Sequence, residues 1–346
     1  MLMPDDLVTV AAQLGARTVG RVVSEVTANV TSIANFPGGK RFAFTVFDDT
    51  DHATVTNTAP VYALLEELGI LTTKSVWVYP SRGTYTGGSL AELGYRDWIL
   101  RLRDAGFEIG LHNVGDGDFN REEILAGVTR FTEVIGVPPR SHSNHVSNPD
   151  NLYWWGERFE WPIGFLYRLA YRLLRGTSAP SRGAGSDQGG PRFWGDATRD
   201  LELYVRNLVF NEINTLKRDP QMPYYNPSKP YVKWWFSSSD GHNCALFNDL
   251  IHPDNVDRLE QEGGACIAYT HFASGFVDEA GDLDPIFRER MEYIASKGTG
   301  WFVPVSTLLD HLRVQAPRRN ASWSYRMSRN LVWGCERLIK RKRYGL

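Results

Sequence analysis

Cysteine is scarce in this chain of 346 residues: there are three, Cys244, Cys266 and Cys335, and none forms a CxxC pair. An odd, widely spaced set argues against a disulfide-stapled scaffold and fits a reducing compartment. Long apolar runs are missing too, since no window approaches the roughly 18 apolar residues of a spanning helix. The opening stretch MLMPDDLVTVAAQLG puts acids where an export signal has bases, so the expectation is a protein made and kept in the cytoplasm. An excess of one charge is also lacking. The formal net charge of -2 argues against a nucleic-acid partner held by an overall positive field. No repeat of 20 to 50 residues is evident.

What the chain does have is material for a large core, with 42% hydrophobic and 23% charged residues. Leu7, Val10, Leu14, Val19 and Val22 predict an amphipathic helix over about Asp5 to Val26. Strands and helices then alternate. RFAFTVF (41–47) is a strand, TAPVYALLEELG (58–69) a helix and KSVWVYP (74–80) a strand. DWILRLRDAG (97–106) and FEIGLHN (107–113) repeat the unit, and REEILAGVTRFTEVIG (121–136) leads to a short strand in PPRSHSNH (138–145). The pattern returns near the end with ACIAYTHF (265–272), a helix over 284–297 and GWFVPVS (300–306). Such alternation predicts a parallel sheet covered by helices, with the active site at the carboxyl ends of the strands. Polar residues do gather there: Asp48, Asp49 and Asp51 after the first strand, His112 at the third, Arg140, His142 and His145 at the fourth, and His271 near the end.

Residues 151–230 do not read as regular βα units and are expected to form an insertion or lid. The domain reading is one barrel over 1–314 and a basic amphipathic tail over 315–346.

Adjacent carboxylates at a strand end can divide two tasks, one binding a divalent metal while the other handles a proton. Imidazole and carboxylate together are ligands that zinc favours, and a catalytic metal takes three protein ligands with one open position. FTVFDD, then GFEIGLHNVGD, then REEI leading to GVPPRS, and finally CIAYTHF, resemble in order the motifs of the polysaccharide deacetylase (NodB homology) family. The resemblance covers Arg41 to about Ser147 and about Ser237 to Ser306. It implies an irregular (β/α) barrel, often seven-stranded, that removes acetyl groups from amino sugars with a metal-activated water. Residue by residue it implies Asp48 as general base, Asp49 and His112 as metal ligands, Arg140 as the residue orienting the base and His271 as general acid.

The chain departs from that pattern in two places. Thr50 and Asp51 follow the paired aspartates where the family has glycine, which adds a carboxylate. Asp116 replaces the second histidine, so the third ligand is open among Asp116, His142 and His145. Two-residue alternation turns His142 to the face of Arg140 and favours it, with His145 next. Asp240 and His242, in SSSDGHN, are candidates for the pocket rim. His52, His252 and His311 have no comparable context.

The segment Tyr153 to Gly176 interleaves Trp154, Trp155, Trp161, Phe165, Tyr167 and Tyr171 with Arg158, Arg168, Arg172 and Arg175, and the tail WSYRMSRNLVWGCERLIKRKRYGL has Glu336 as its only acid. Both suit a membrane interface or a phosphorylated ligand, and the tail is the expected peripheral contact with anionic headgroups. The substrate expected is an N-acylated sugar on a nucleotide or polyprenyl phosphate, used in assembling bacterial surface polysaccharide. The alternatives are a deformylase of a formamido sugar and a non-catalytic sugar-binding barrel.

Overall fold

The computed structural model describes residues 35–175, 183–315 and 320–344. The helix expected over Asp5 to Val26 lies outside them. Among the described residues eight strands, all parallel, run in chain order as β1 Phe42–Asp48, β2 Thr73–Val76, β3 Glu108–Leu111, β4 Ser141–His142, β5 Tyr204–Phe210, β6 Trp234–Asp240, β7 Ala265–Thr270 and β8 Gly300–Trp301. Pairing proceeds β2-β3-β4-β5-β6-β7-β1 and returns from β1 to β2, so seven strands close a barrel. The short β8 pairs with the amino end of β1, at Phe42 and Ala43, while β2 pairs with its carboxyl end, at Phe47 and Asp48. Every residue of β1 is buried, as expected for a parallel strand covered on both faces. Its register with β7 runs unbroken from Ala43 opposite Ala265 to Asp48 opposite Thr270.

Capping chemistry sets the helix boundaries. Helix α1 (Val55–Glu67) starts at Thr54, whose hydroxyl accepts from Asn57 N while the Asn57 side chain accepts from Thr54 N. Helix α2 is Leu93–Asp104. Helix α3 (Arg121–Ile135) repeats the reciprocal cap with Asn120 and Glu123, and Gly136, at φ +87°, ends it.

Between β4 and β5 the chain forms helix α4 (Ile163–Arg175) and the short α5 (Gly195–Asp200). The expected lid over 151–230 is therefore corrected, because β5 lies inside it and is a full member of the barrel. After β5 come α6 (Thr215–Arg218), α7 (Cys244–Leu250), α8 (Pro253–Glu262), α9 (Pro285–Ser296), α10 (Val305–Gln315) and α11 (Trp323–Tyr344). A main apolar core fills the space between barrel and helices. A satellite core of Phe159, Tyr167, Leu208, Phe210, Val332 and Trp333 joins α4 and α11 to β5. Buried Glu160 ties the same parts together, accepting from Lys229 Nζ at 2.9 Å and from Arg326 Nη2 at 3.1 Å.

One charge pair sits in the main core. Lys74 Nζ lies 2.8 Å from Asp48 Oδ2, and both side chains are fully buried. Removing one partner strands the other charge in a dry interior. Lys74→Met is expected to cost about 3–5 kcal/mol of stability, and Lys74→Met with Asp48→Asn markedly less, read from urea unfolding midpoints.

Candidate metal centre and active site

The carboxyl ends of β1, β3, β4 and β7, with Arg206 from the middle of β5, deliver the polar residues to one place. After β1 the chain turns sharply, with Ala53 N donating to Thr50 O and His52 at φ +61°. That turn brings Asp51 back over the barrel mouth. His112 follows β3, and Asn113 after it takes φ +50°, a conformation asparagine tolerates better than most residues. Asn113 Oδ1 accepts from His145 N, which anchors the loop after β4.

Asp51, His112 and His145 offer ligand atoms that all lie within 4.8 Å of one another, and all three residues are buried. Asp51 Oδ1 is 3.1 Å from His112 Nε2 and 3.2 Å from His145 Nε2. Zinc bonds of about 2.0–2.1 Å in tetrahedral geometry place neighbouring ligand atoms about 3.3 Å apart, so the spacing fits. The far side of each ring fits as well. His112 Nδ1 lies 3.0 Å from the Ser143 carbonyl, which only accepts, so Nδ1 carries the proton and Nε2 presents its lone pair. His145 Nδ1 faces Asn148 Oδ1 at 3.1 Å and Asp116 Oδ1 at 3.5 Å, and its Nε2 meets no partner in hydrogen-bond geometry despite its burial. A buried carboxylate and two buried imidazoles gathered at one point form a candidate cation site.

Asp116 supports the site without joining it. Its Oδ2 accepts from Ser81 Oγ and Tyr85 N, and its Oδ1 from Ser147 Oγ. A Cβ on Gly83 would come within 2.4 Å of that carboxylate, so only glycine lets this loop close over Asp116.

Asp49 stands beside the cluster. Arg206, from β5, holds both of its oxygens in a bidentate pair, and Ser143 Oγ donates to Oδ1 at 2.8 Å. Arg206 is sandwiched by the rings of Tyr269 at 4.2 Å and Phe47 at 5.2 Å. Burial works to raise the Asp49 pKa, but Arg206 and the nearby histidines win and hold it below the ordinary carboxylate value. His271 closes the other flank. Its Nε2 is 3.2 Å from Asp51 Oδ2, and its Nδ1 lies 2.9 Å from the His242 carbonyl. Burial opposes its charged form, yet the hydrogen bond and charge of Asp51, with Asp49 behind, push it up to about 9. At 16% exposure its side chain is the most open of this group, so the mouth lies on its side.

Four of the expected residues stand away from the places their expected roles require. Asp48 is tied into the buried core, where Oδ2 takes Lys74 and Tyr62 Oη and Oδ1 accepts from Phe272 N, and it is not part of the Asp51–His112–His145 cluster. Arg140, expected to orient the base, pairs instead with Asp310 at 2.9 Å, and the arginine that holds a carboxylate at the mouth is Arg206, on Asp49. His142 lies apart from the cluster, fully buried edge-on to Trp194 with Nε2 3.3 Å from Asn144 Oδ1. Asp49, expected as a ligand, is committed to Arg206, and Asp51 takes its place next to His112. Asp240 pairs with His242 at 3.0 Å and with Arg337 at 3.0 Å, so the contact to His271 comes from the His242 backbone. Arg206 itself was missed. An arginine in the middle of YVRNLVF is the signal that could have found it.

No protein-family model and no curated protein sequence matches the chain. Solved structures do match. A Puue allantoinase aligns with a TM-score of 0.51 at 15% identity, covering 84% of this chain and 96% of its own. A probable polysaccharide deacetylase from Pseudomonas aeruginosa PAO1 aligns with a TM-score of 0.51 at 13% identity, covering 84% and 97%. The fold is that of the polysaccharide deacetylases. In this deacetylase-type barrel the cluster described above lies where parallel α/β barrels carry their chemistry.

Two measurements test the site. Asp51→Ala, His112→Ala and His145→Ala are each expected to abolish stoichiometric zinc binding in equilibrium dialysis, and Asp116→Asn to weaken it about 10–100-fold. Asp49→Asn, Arg140→Ala and His142→Gln keep it. Burial pushes the His142 pKa down to about 3, below its ordinary value of about 6.5. The unfolded chain then takes up the proton first, so this stability is present above pH 6.5 and is lost as pH falls towards 3. Relative to wild type, His142→Gln should flatten the fall in urea midpoint across that window.

Proposed function

We propose that this chain is a metal-dependent hydrolase that removes an N-acyl group, acetyl first among them, from an amino sugar. The observation that carries the reading is the joint placement of the Asp51–His112–His145 cluster, the Asp49–Arg206 pair and His271 at one barrel mouth. The two solved structures sharing the fold bear the names of an allantoinase and a deacetylase, which supports hydrolysis as the reaction class.

Asp51, His112 and His145 would hold a divalent ion, zinc by this donor set, which when bound would supply Lewis acidity and make water a nucleophile near neutral pH. Asp49 accepts the proton of the attacking water, held in position by Arg206 and Ser143. His271 donates a proton from Nε2 to the nitrogen as the C–N bond breaks, and its His242 contact fixes the ring. Acetate and a free amine leave. We take the sugar to be carried on a nucleotide or polyprenyl phosphate, as the basic and aromatic segments of the sequence favour.

The test is release of acetate, and in parallel of formate, from N-acetyl and N-formyl amino sugars by zinc-loaded protein. Asp49→Asn, Arg206→Met and His271→Gln are each expected to lower kcat by about 10²–10⁴ with metal content unchanged. Formate alone would make the enzyme a deformylase. Neither product from wild type at full metal loading would leave a sugar-binding barrel.

A further inference from the structure

Helix α4 has two different faces. Ile163, Tyr167 and Ala170 turn inward onto the satellite core of Phe159, Leu208, Phe210 and Trp333. The opposite side is apolar and open: Phe165 is 51% exposed, Leu169 41% and Leu173 76%, at successive i, i+4 positions along one stripe, with Leu166 beside them. Trp161, 73% exposed, stands just before the helix, and the exposed Trp323 donates its indole N–H to the Trp161 carbonyl at 3.2 Å, which widens the patch. Next to the stripe Arg168 and Arg172 face solvent, and IGFLYRLAYRLLR contains no acid. A soluble surface seldom leaves so continuous a row of large apolar residues open.

We propose that this face of α4 docks on an anionic lipid bilayer. The apolar stripe enters the interface, Trp161 and Trp323 sit at headgroup level, and Arg168 and Arg172 pair with anionic headgroups. The charge pattern selects this occupant, since a second copy would set the arginine rows of the two helices against each other. Among the described residues no helix is long and apolar enough to cross a membrane, so the contact is peripheral. Its place also matters. Leu208 and Phe210, on which α4 rests, lie two and four positions beyond Arg206 at the carboxyl end of β5, so the bilayer would lie beside the mouth of the barrel. The tail expected to make this contact is otherwise engaged in its described part, where Val332 and Trp333 are buried against β5.

The experiment is co-sedimentation of the full chain with sucrose-loaded vesicles of phosphatidylglycerol and phosphatidylcholine in equal parts, against phosphatidylcholine alone. Wild type is expected to pellet with the mixed vesicles, and less so at raised salt or without the anionic lipid. Phe165→Ser with Leu169→Ser and Leu173→Ser should lower partitioning by about tenfold or more. Arg168→Glu with Arg172→Glu should lower it on anionic vesicles only, while Lys340→Glu with Lys342→Glu should bind as wild type. Unchanged melting curves certify the fold, and the arginine variant serves if the triple variant unfolds. The proposal is overturned if wild type does not pellet, if the α4 variants pellet as well as wild type, or if wild type is a dimer in sizing chromatography that the triple variant dissolves without any vesicle binding. Vesicle binding is independent of the chemistry of the mouth and should persist in Asp49→Asn whether or not acetate is released.

Discussion

The carboxylate of Asp51 is the point on which the rest of the mouth depends. One oxygen faces His112 and His145 at 3.1 and 3.2 Å, and the other faces His271 at 3.2 Å. A single buried anion therefore gathers three imidazoles that come from the ends of three different strands. Burial works to raise its pKa, but the charge of His112 and hydrogen bonds from the three histidines hold it well below the ordinary value. Two of those rings form the candidate metal cluster with it and the third stands on the more open flank, so one residue borders both parts of the mouth.

A second layer makes that division firm. Each ring is held from behind by an oxygen: Ser143 for His112, Asn148 and Asp116 for His145, and the His242 carbonyl for His271. Fixing the proton on the rear nitrogen fixes what the front nitrogen can do. Asp49 is constrained in the same manner by Arg206 and Ser143, and Ser143 touches both Asp49 and His112. Asp49 and His112 are thus mechanically linked through one hydroxyl.

Much of the fold was legible because parallel strands buried on both faces leave apolar runs with polar residues where each run stops. Residues 42–48, 108–111 and 265–270 were readable for that reason, and so were His112 and His271 as residues at a mouth. The strands β5 and β6 were not, because YVRNLVF carries a charge in its middle and WWFSSSD ends in small polar residues; the tolerance comes from a partner, Asp49 for Arg206 and the interior hydroxyl network for the serines. The division of labour among Asp48, Asp49 and Asp51 was hidden as well. Three carboxylates within four residues look alike in sequence, and only their partners, Lys74 for the first, Arg206 for the second and the histidines for the third, set them apart. His142 drew attention by alternation, but after a two-residue strand the chain leaves extended geometry, and His145 returns to the mouth instead.

The packing of α11 on β5 bears on how the protein comes into being. Arg206 is delivered by a strand whose outer face is covered by Val332 and Trp333, and the segment before it is clamped by Glu160 to Arg326. During synthesis the staves from β1 to β4 emerge long before these covering residues do. That cover is therefore made long after the strand it protects, and until α11 has been synthesised Leu208 and Phe210 lack the part of their packing that Val332 and Trp333 supply.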